Sequence, residues 1–273
     1  MRIALVVMPT SDLNLQRAAQ VGVTDVVGRY TGPRYDELAR LRDRVAAHGL
    51  RLAAIEGYLP IDRSVAGKPD RDRQIDRFIT FMEHMSKVGV DICCYNWMPD
   101  ADWTRTDPAV RDRGGALVTG FDAALVADAP PERGEPIDGE TLWANLEYGL
   151  QRVIPAAEAR GVLRGMHPDD PPMSPLRGQD RIFSTIEDFE RLMQLYPSDA
   201  NAICFCQGCF SEMGYDIPAA IERLGRHIAY AHFRNVRGCV PASHHHPDQP
   251  MPPHRRPVAQ SRCCRLHSLP LAA

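Results

Sequence analysis

No stretch of this 273-residue chain approaches the ~20 consecutive apolar residues needed to cross a bilayer, so a helical membrane protein is not expected. Basic residues are not in excess either. Lys and Arg number 32 against 35 Asp and Glu, a formal charge of −3, and no basic stripe interleaved with aromatics is present. That balance gives no electrostatic footprint for nucleic acid or an anionic membrane. A secretory leader is not expected: the apolar start Met1–Met8 is short, lacks a small-residue cleavage site and ends at Pro9. It reads instead as a first buried strand, and the chain is expected to be cytoplasmic. Disulfides are not expected in that setting. Of eight cysteines, Cys93-Cys94 and Cys263-Cys264 are adjacent pairs, and Cys204, Cys206 and Cys209 crowd one strand and turn. The Cys206-x-x-Cys209 spacing suits zinc or redox chemistry, but a second such pair is missing.

What is present is ordinary globular material, 44% hydrophobic and 25% charged. The length suits one α/β barrel or two smaller domains. Strand-like runs at Ile3–Met8, Asp25–Val27, Leu52–Ile55, Asp91–Tyr95, Val162–Met166, Ala202–Cys206 and Ile228–His232 alternate with segments of helical periodicity. The helical segments are Leu13–Ala19, Tyr35–Ala47, Arg71–Val88, Leu142–Arg160, Ile186–Leu195 and Ile217–Leu224, with Ser11-Asp12 and Thr185 as N-caps and Gly49 and Gly89 as stops. In Arg71–Val88, residues Ile75, Phe78, Ile79, Met82 and Met85 mark the inner face. Pro155 is expected to kink Leu142–Arg160 or to mark a junction. Such alternation predicts a parallel sheet, and seven strands point to a (β/α)8 TIM-type barrel lacking its last strand and helix. Residues 1–238 form that barrel. Cys239–Ala273, with seven prolines, five histidines and no glycine or aromatic, is expected to be a disordered tail such as a shifted reading frame produces. His244-His245-His246 with His254 is the alternative metal-binding reading of that tail.

Three strand-like runs end in a metal-ligand residue: His167, Cys206 and His232. In a parallel barrel the C-terminal strand ends meet at one mouth, where active sites are built. Two imidazoles and a thiolate there suit Mn²⁺, Fe²⁺ or Zn²⁺. The competing readings are a satisfied core histidine for His167 and a small buried apolar residue for Cys206. Cys206 and Cys204 share strand parity, with Cys206 nearer the mouth and Cys204 in the core. His167-Pro168-Asp169-Asp170-Pro171-Pro172 places two carboxylates beside a histidine whose backbone the proline restricts. Asp169 and Asp170 are candidates for orienting a ligand or binding substrate hydroxyls; a rigid turn is the alternative. The long segment Trp97–Glu140 reads as a functional loop. Asn96, Trp97 and Arg105 within Cys94–Pro99 and Asp102–Thr106 supply a wall for a polar anionic ligand, or else anchors for the loop. In His232-Phe233-Arg234-Asn235, Arg234 and Asn235 are candidate substrate contacts, with a surface salt bridge as the alternative for Arg234.

The strings Cys94–Pro99, Asp102–Thr106, His167–Pro172, Phe205-Cys206-Gln207-Gly208 and His232–Val236 together resemble the mannonate dehydratase family, in order from the start to Gly238. The resemblance implies a xylose-isomerase-like barrel using Mn²⁺ or Fe²⁺ to dehydrate D-mannonate to 2-keto-3-deoxy-D-gluconate, a step of hexuronate catabolism. It implies that His167, Cys206 and His232 are three of the metal ligands. The family's fourth ligand, an Asp in a terminal Asp-His pair whose His is the acid/base, and its lid tyrosine have no counterpart in this sequence. Its Arg-Trp-Tyr-Gly-Pro string at the first strand is replaced by Val6-Val7-Met8-Pro9. Weak or absent dehydratase turnover is therefore expected. A metal-dependent sugar isomerase or epimerase on the same barrel and an inactive remnant are the alternatives, and a homo-oligomeric assembly is left open.

Overall fold

The computed structural model describes residues 2–57, 59–99, 103–132 and 134–238. The expectations for Cys239–Ala273 and for Asp102 lie outside the described residues. The chain runs β1 (Ala4–Val6), α1 (Asp12–Gln20), β2 (Asp25–Gly28), α2 (Tyr35–Ala47), β3 (Arg51–Glu56), α3 (Asp62–Val65), α4 (Arg71–Lys87) and β4 (Ile92–Tyr95). It continues through β5 (Asp107–Arg111), β6 (Leu117–Gly120), α5 (Gly139–Glu158), β7 (Leu163–Met166), α6 (Ile186–Leu195), β8 (Asn201–Cys206), α7 (Gln207–Glu212), α8 (Ile217–Leu224) and β9 (Ile228–His232). Among the described residues, no helix is long and apolar enough to cross a membrane.

Seven strands form one parallel sheet in the order β1-β2-β3-β4-β7-β8-β9. The sheet is strongly curled. In a flat sheet β3 and β9, four steps apart, would be about 19 Å from one another at ~4.8 Å per step, yet Glu56 on β3 hydrogen-bonds His232 on β9. The chain therefore folds as an incomplete barrel of the (β/α)8 type. Among the described residues it is open between β9 and β1, which pair on one side only. Burial follows from that opening. Central strands β2 and β8 are buried at every residue, as parallel strands covered on both faces must be, whereas β1 and β9 are mostly half-buried.

Helices cover the outside of the sheet with the faces their periodicity assigns. Ile75, Phe78, Met82 and Met85 of α4 are buried together with Phe81, while Ile79 is half-buried. Thr185 and Asp188 form a reciprocal capping box that starts α6, placing Ile186, Phe189, Leu192 and Met193 inward. Pro155 does not mark a junction, since α5 runs on through it to Glu158. It lies in the last turn, and the carbonyl it cannot satisfy belongs to exposed Gln151, which water can reach. The segment after β4 is not simply loop: β5 and β6 pair as an antiparallel hairpin. Asp107–Arg111 carries Pro108 and is largely exposed, so no alternation marked it as a strand. The short helix α7 was likewise unannounced; it starts directly at Cys206, its N-cap.

Candidate metal centre at the mouth of the barrel

His167 follows β7, Cys206 ends β8 and His232 ends β9, so the curl of the sheet brings all three to one mouth. One ligand-type atom from each lies within 4.8 Å of the other two. His167 Nε2 is 3.1 Å from His232 Nδ1, a separation that two bonds of about 2.0–2.1 Å to one cation can span. Parity on β8 is as the sequence indicated. Phe205 turns outward to stack on Phe210, with ring centroids 4.3 Å apart, while Cys204 and Cys206 turn into the barrel. Cys204 Sγ lies 3.7 Å from His232 Nε2, on the opposite side of the ring from His167. A second group of ligand-type atoms, Cys94, Cys204 and His232, shares that side.

The electrostatics ionise Cys206, its metal-binding form, and favour charge on the two imidazoles, from which a cation must displace a proton. Burial alone would raise the Cys206 thiol, but the hydrogen bond from Cys209, the charge of Arg234 and His167 outweigh it and hold Cys206 well below the usual thiol range. A thiolate is the form that binds metal. Burial opposes charge on His167, yet the adjacent Cys206 raises it to about 9. His232 is raised in the same way by Cys206 and Glu56. Cys204 is pushed well upward by burial and by Cys94, and so remains a thiol. Two imidazoles and a thiolate, all buried or nearly so, therefore fit a first-row divalent cation.

The sequence reading missed Glu56. This last residue of β3 is 6% exposed, and its Oε2 lies 2.8 Å from His232 Nε2. Arg29, just after β2, donates through Nη1 to Glu56 Oε1 at 3.0 Å and to the Glu56 carbonyl at 3.1 Å. Tyr230 donates its hydroxyl to Oε2 at 3.3 Å. Burial works against the Glu56 carboxylate, but His232, His167 and Arg29 bring it down to about 2. The signal was available: Glu56 ends an apolar run, as His167 does, and Gly57 follows with φ 74°. A β-carbon on Gly57 would stand 2.9 Å from Arg29 Nη1 and 3.5 Å from Trp103 Cη2, so glycine leaves the room that the Arg29–Glu56 pair occupies.

The expected substrate contacts divide. Asp170, Arg105 and Arg234 come together, but as a closed network. Arg105 Nη2 donates to Asp170 at 3.1 Å and its Nε to Thr119 at 3.1 Å. Arg234 donates to Cys206 at 3.2 Å, Cys209 at 3.0 Å, Glu212 at 3.0 Å and Asp170 at 3.3 Å. Asp170, Cys209 and Glu212 form a third group of ligand-type atoms, but the guanidinium of Arg234 is already the cation among them. Burial raises Glu212 to about 8 despite Arg234, and its Oε2 is enclosed without a hydrogen-bond partner. Gly208 makes this packing possible, because a β-carbon there would meet Arg234 Nε at 2.5 Å. Asp169 is buried and accepts from the Phe183 amide at 2.8 Å, pinning the segment after β7 rather than facing the mouth. Trp97 is a core residue: it is 3% exposed and its Nε1 donates to the Leu142 carbonyl of α5. Asn235 is exposed, and its Oδ1 accepts from the next amide, that of Val236. Asn96 is half-buried directly after β4 at the mouth.

A curled parallel sheet with two histidines and a cysteine gathered at its strand ends defines a barrel protein of the xylose-isomerase-like kind. Solved barrels support that class at the level of fold, among them an L-ribulose 3-epimerase (18% identity, TM-score 0.56, 84% of this chain and 68% of that one). A sequence model of the D-mannonate dehydratase (UxuA) family matches residues 5–135 and 132–247, and the chain belongs to that family. The mannonate dehydratase of Streptococcus agalactiae serotype Ia is 33% identical over 229 residues, covering 74% of this chain and 65% of the relative. That of Enterococcus faecalis is 32% identical over 254 residues, covering 79% and 71%. The crystal structure of mannonate dehydratase from Streptococcus suis serotype 2 superposes with a TM-score of 0.80 at 30% identity, over 87% of this chain and 74% of that one. The chain thus spans about two thirds of the length of the curated relatives it matches.

Proposed function

We propose that the mouth of this barrel holds Mn²⁺ or Fe²⁺ through His167, Cys206 and His232. We further propose that it acts on D-mannonate, dehydrating it to 2-keto-3-deoxy-D-gluconate and water. The observation that carries this reading is the convergence of those three side chains within 4.8 Å in a member of the D-mannonate dehydratase family. When bound there, a divalent cation supplies Lewis-acid stabilisation of the charge that develops beside the substrate carboxylate. The chain's own residues prepare the site. Arg234 helps keep Cys206 ionised, Glu56 holds the far side of the His232 ring, and the Arg105–Asp170–Arg234 network fixes the rim.

Elimination also needs a base for the C2 proton and an acid for the departing oxygen. Among the described residues, the carboxylates at the mouth are committed elsewhere, Glu56 to His232 and Arg29 and Asp170 to two arginines, and Asp169, turned away from the mouth, accepts from a backbone amide. Turnover by this chain is therefore expected to fall below the ordinary enzyme range of about 1–10³ s⁻¹. The test is product analysis of the chain incubated with Mn²⁺ or Fe²⁺ and D-mannonate. Slow formation of a 2-keto-3-deoxy acid supports the reading. A carbonyl isomer of the substrate would make the protein an isomerase or epimerase, and metal binding with no product would make it a binder without turnover.

A further inference from the structure

Glu56 has every carboxylate oxygen engaged and sits behind a ring whose other nitrogen faces the metal-ligand cluster. We infer that Glu56 is a positioning residue that fixes which nitrogen of His232 is offered to the cation, an inference that rests on the metal reading above. The geometry is directional. His232 Nε2 points at Glu56 Oε2 across 2.8 Å, while Nδ1 points at His167 Nε2 across 3.1 Å. Once a cation has displaced one proton from the ring, the neutral imidazole carries a single N–H. With Glu56 accepting that proton at Nε2, the Nδ1 lone pair is left for the metal, on the side where His167 and Cys206 lie.

Glu56 is itself held from two directions. Arg29 donates to Oε1 and to the main-chain carbonyl, and Tyr230 donates to Oε2. Rotation of the carboxylate away from His232 would break contacts to β9 and leave a buried charge without its imidazole partner, which is costly. Cys204 Sγ, the other group near Nε2, is farther away at 3.7 Å against 2.8 Å for Glu56 Oε2, so the carboxylate is the acceptor that decides the tautomer. A carboxylate behind a ligating histidine also makes the ring a better donor, and loss of such a partner typically weakens metal binding about 10–100-fold.

The experiment compares wild type, Glu56→Gln and Glu56→Ala by Mn²⁺ titration, and by ¹⁵N-histidine NMR of the Zn²⁺-loaded proteins. Glu56→Gln keeps volume and packing, so a folding defect in Glu56→Ala leaves the test intact. Wild type is expected to show His232 protonated at Nε2 and metal-bound at Nδ1. Glu56→Gln, which retains an acceptor but no charge, is expected to bind Mn²⁺ about tenfold more weakly, and Glu56→Ala up to about 100-fold more weakly with the Nε2–H signature lost. Wild-type affinity and an unchanged Nε2–H signal in Glu56→Gln would overturn the inference. So would a wild-type ¹⁵N pattern with metal on Nε2, which would put the cation on the Glu56 side. Failure of wild type to bind Mn²⁺ or Zn²⁺ at all would instead remove the metal reading itself.

Discussion

His167 Nε2 and His232 Nδ1 face each other across 3.1 Å although their strands are not neighbours, β8 lying between them. Two ring nitrogens held this close share a proton or, on the function proposed above, a cation that the Cys206 thiolate also binds. Replacing His167 or His232 by alanine is expected to abolish stoichiometric Mn²⁺ or Fe²⁺ binding, and Cys206→Ala to remove the thiolate-to-metal charge-transfer band of a Co²⁺-loaded sample. Cys204→Ala should leave both metal content and that band in place. Loss of the band in Cys204→Ala with its retention in Cys206→Ala would move the metal to the opposite face of the His232 ring.

Gly208 and Arg234 are a matched pair. A β-carbon at Gly208 would overlap the guanidinium, at 2.5 Å from Nε, 2.6 Å from Cζ and 2.7 Å from Cγ. Gly208→Ala should therefore push Arg234 off Cys206 and out of the Asp170–Glu212 pair. Overpacking of this kind costs about 1–3 kcal/mol, readable as a lower urea midpoint. The Cys206 thiol should then ionise at higher pH, because the positive charge that helps hold it down has moved away. Ultraviolet thiolate absorbance against pH reads this directly; an unchanged curve with unchanged stability would refute it.

Most of the fold was legible because its elements are amphipathic and locally punctuated. Helices such as Tyr35–Ala47 and Ile186–Leu195 were bounded by a glycine stop or a capping threonine. The convergence of His167, Cys206 and His232 was legible because each follows an apolar run in a parallel barrel. Glu56 obeys the same rule, but a glutamate at a strand end looks like a surface residue until the curl of the sheet brings β9 across to it. Arg234 was half-read. Its charge was noted, but its partners Asp170, Cys209 and Glu212 belong to different loops and helices, and their closure around it is a tertiary fact. For Trp97 the choice between binding wall and anchor depended on the same kind of contact, since its acceptor Leu142 lies 45 residues downstream, and the structure makes it an anchor.

Trp97 thus makes a clean test of core against binding wall. It packs in the main hydrophobic core with Phe78, Leu146 and Leu150, and its indole N–H is bonded to α5. Trp97→Ala is expected to destabilise the protein by about 3–5 kcal/mol, seen in chemical denaturation, while leaving Mn²⁺ affinity of the folded fraction unchanged. Full stability with impaired binding of D-mannonate would return Trp97 to the substrate wall.

At the opposite end of the barrel, Asp25 opens β2 with its side chain 1% exposed. Arg51 donates to it at 2.6 Å, Thr24 also donates to it, and Arg2 lies 3.4 Å away. Burial alone would raise this carboxyl, but the hydrogen bonds from Thr24 and Arg51 and the charges of Arg51 and Arg2 hold it below the usual carboxylate range. A carboxyl lowered by folding contributes stability that is full above its unfolded value of about 3.9 and lost as pH falls through the folded value. Asp25→Asn removes the charge-assisted bonds at neutral pH and should cost about 1.5–3 kcal/mol there. As pH falls below about 3.9 the wild-type advantage should shrink, because the wild-type carboxyl takes up the proton that the amide never needed. Urea denaturation of both proteins at pH 7 and across the acid range measures the difference. A gap that stayed constant or widened toward acid would mean that Asp25 is not the ionised anchor of β2.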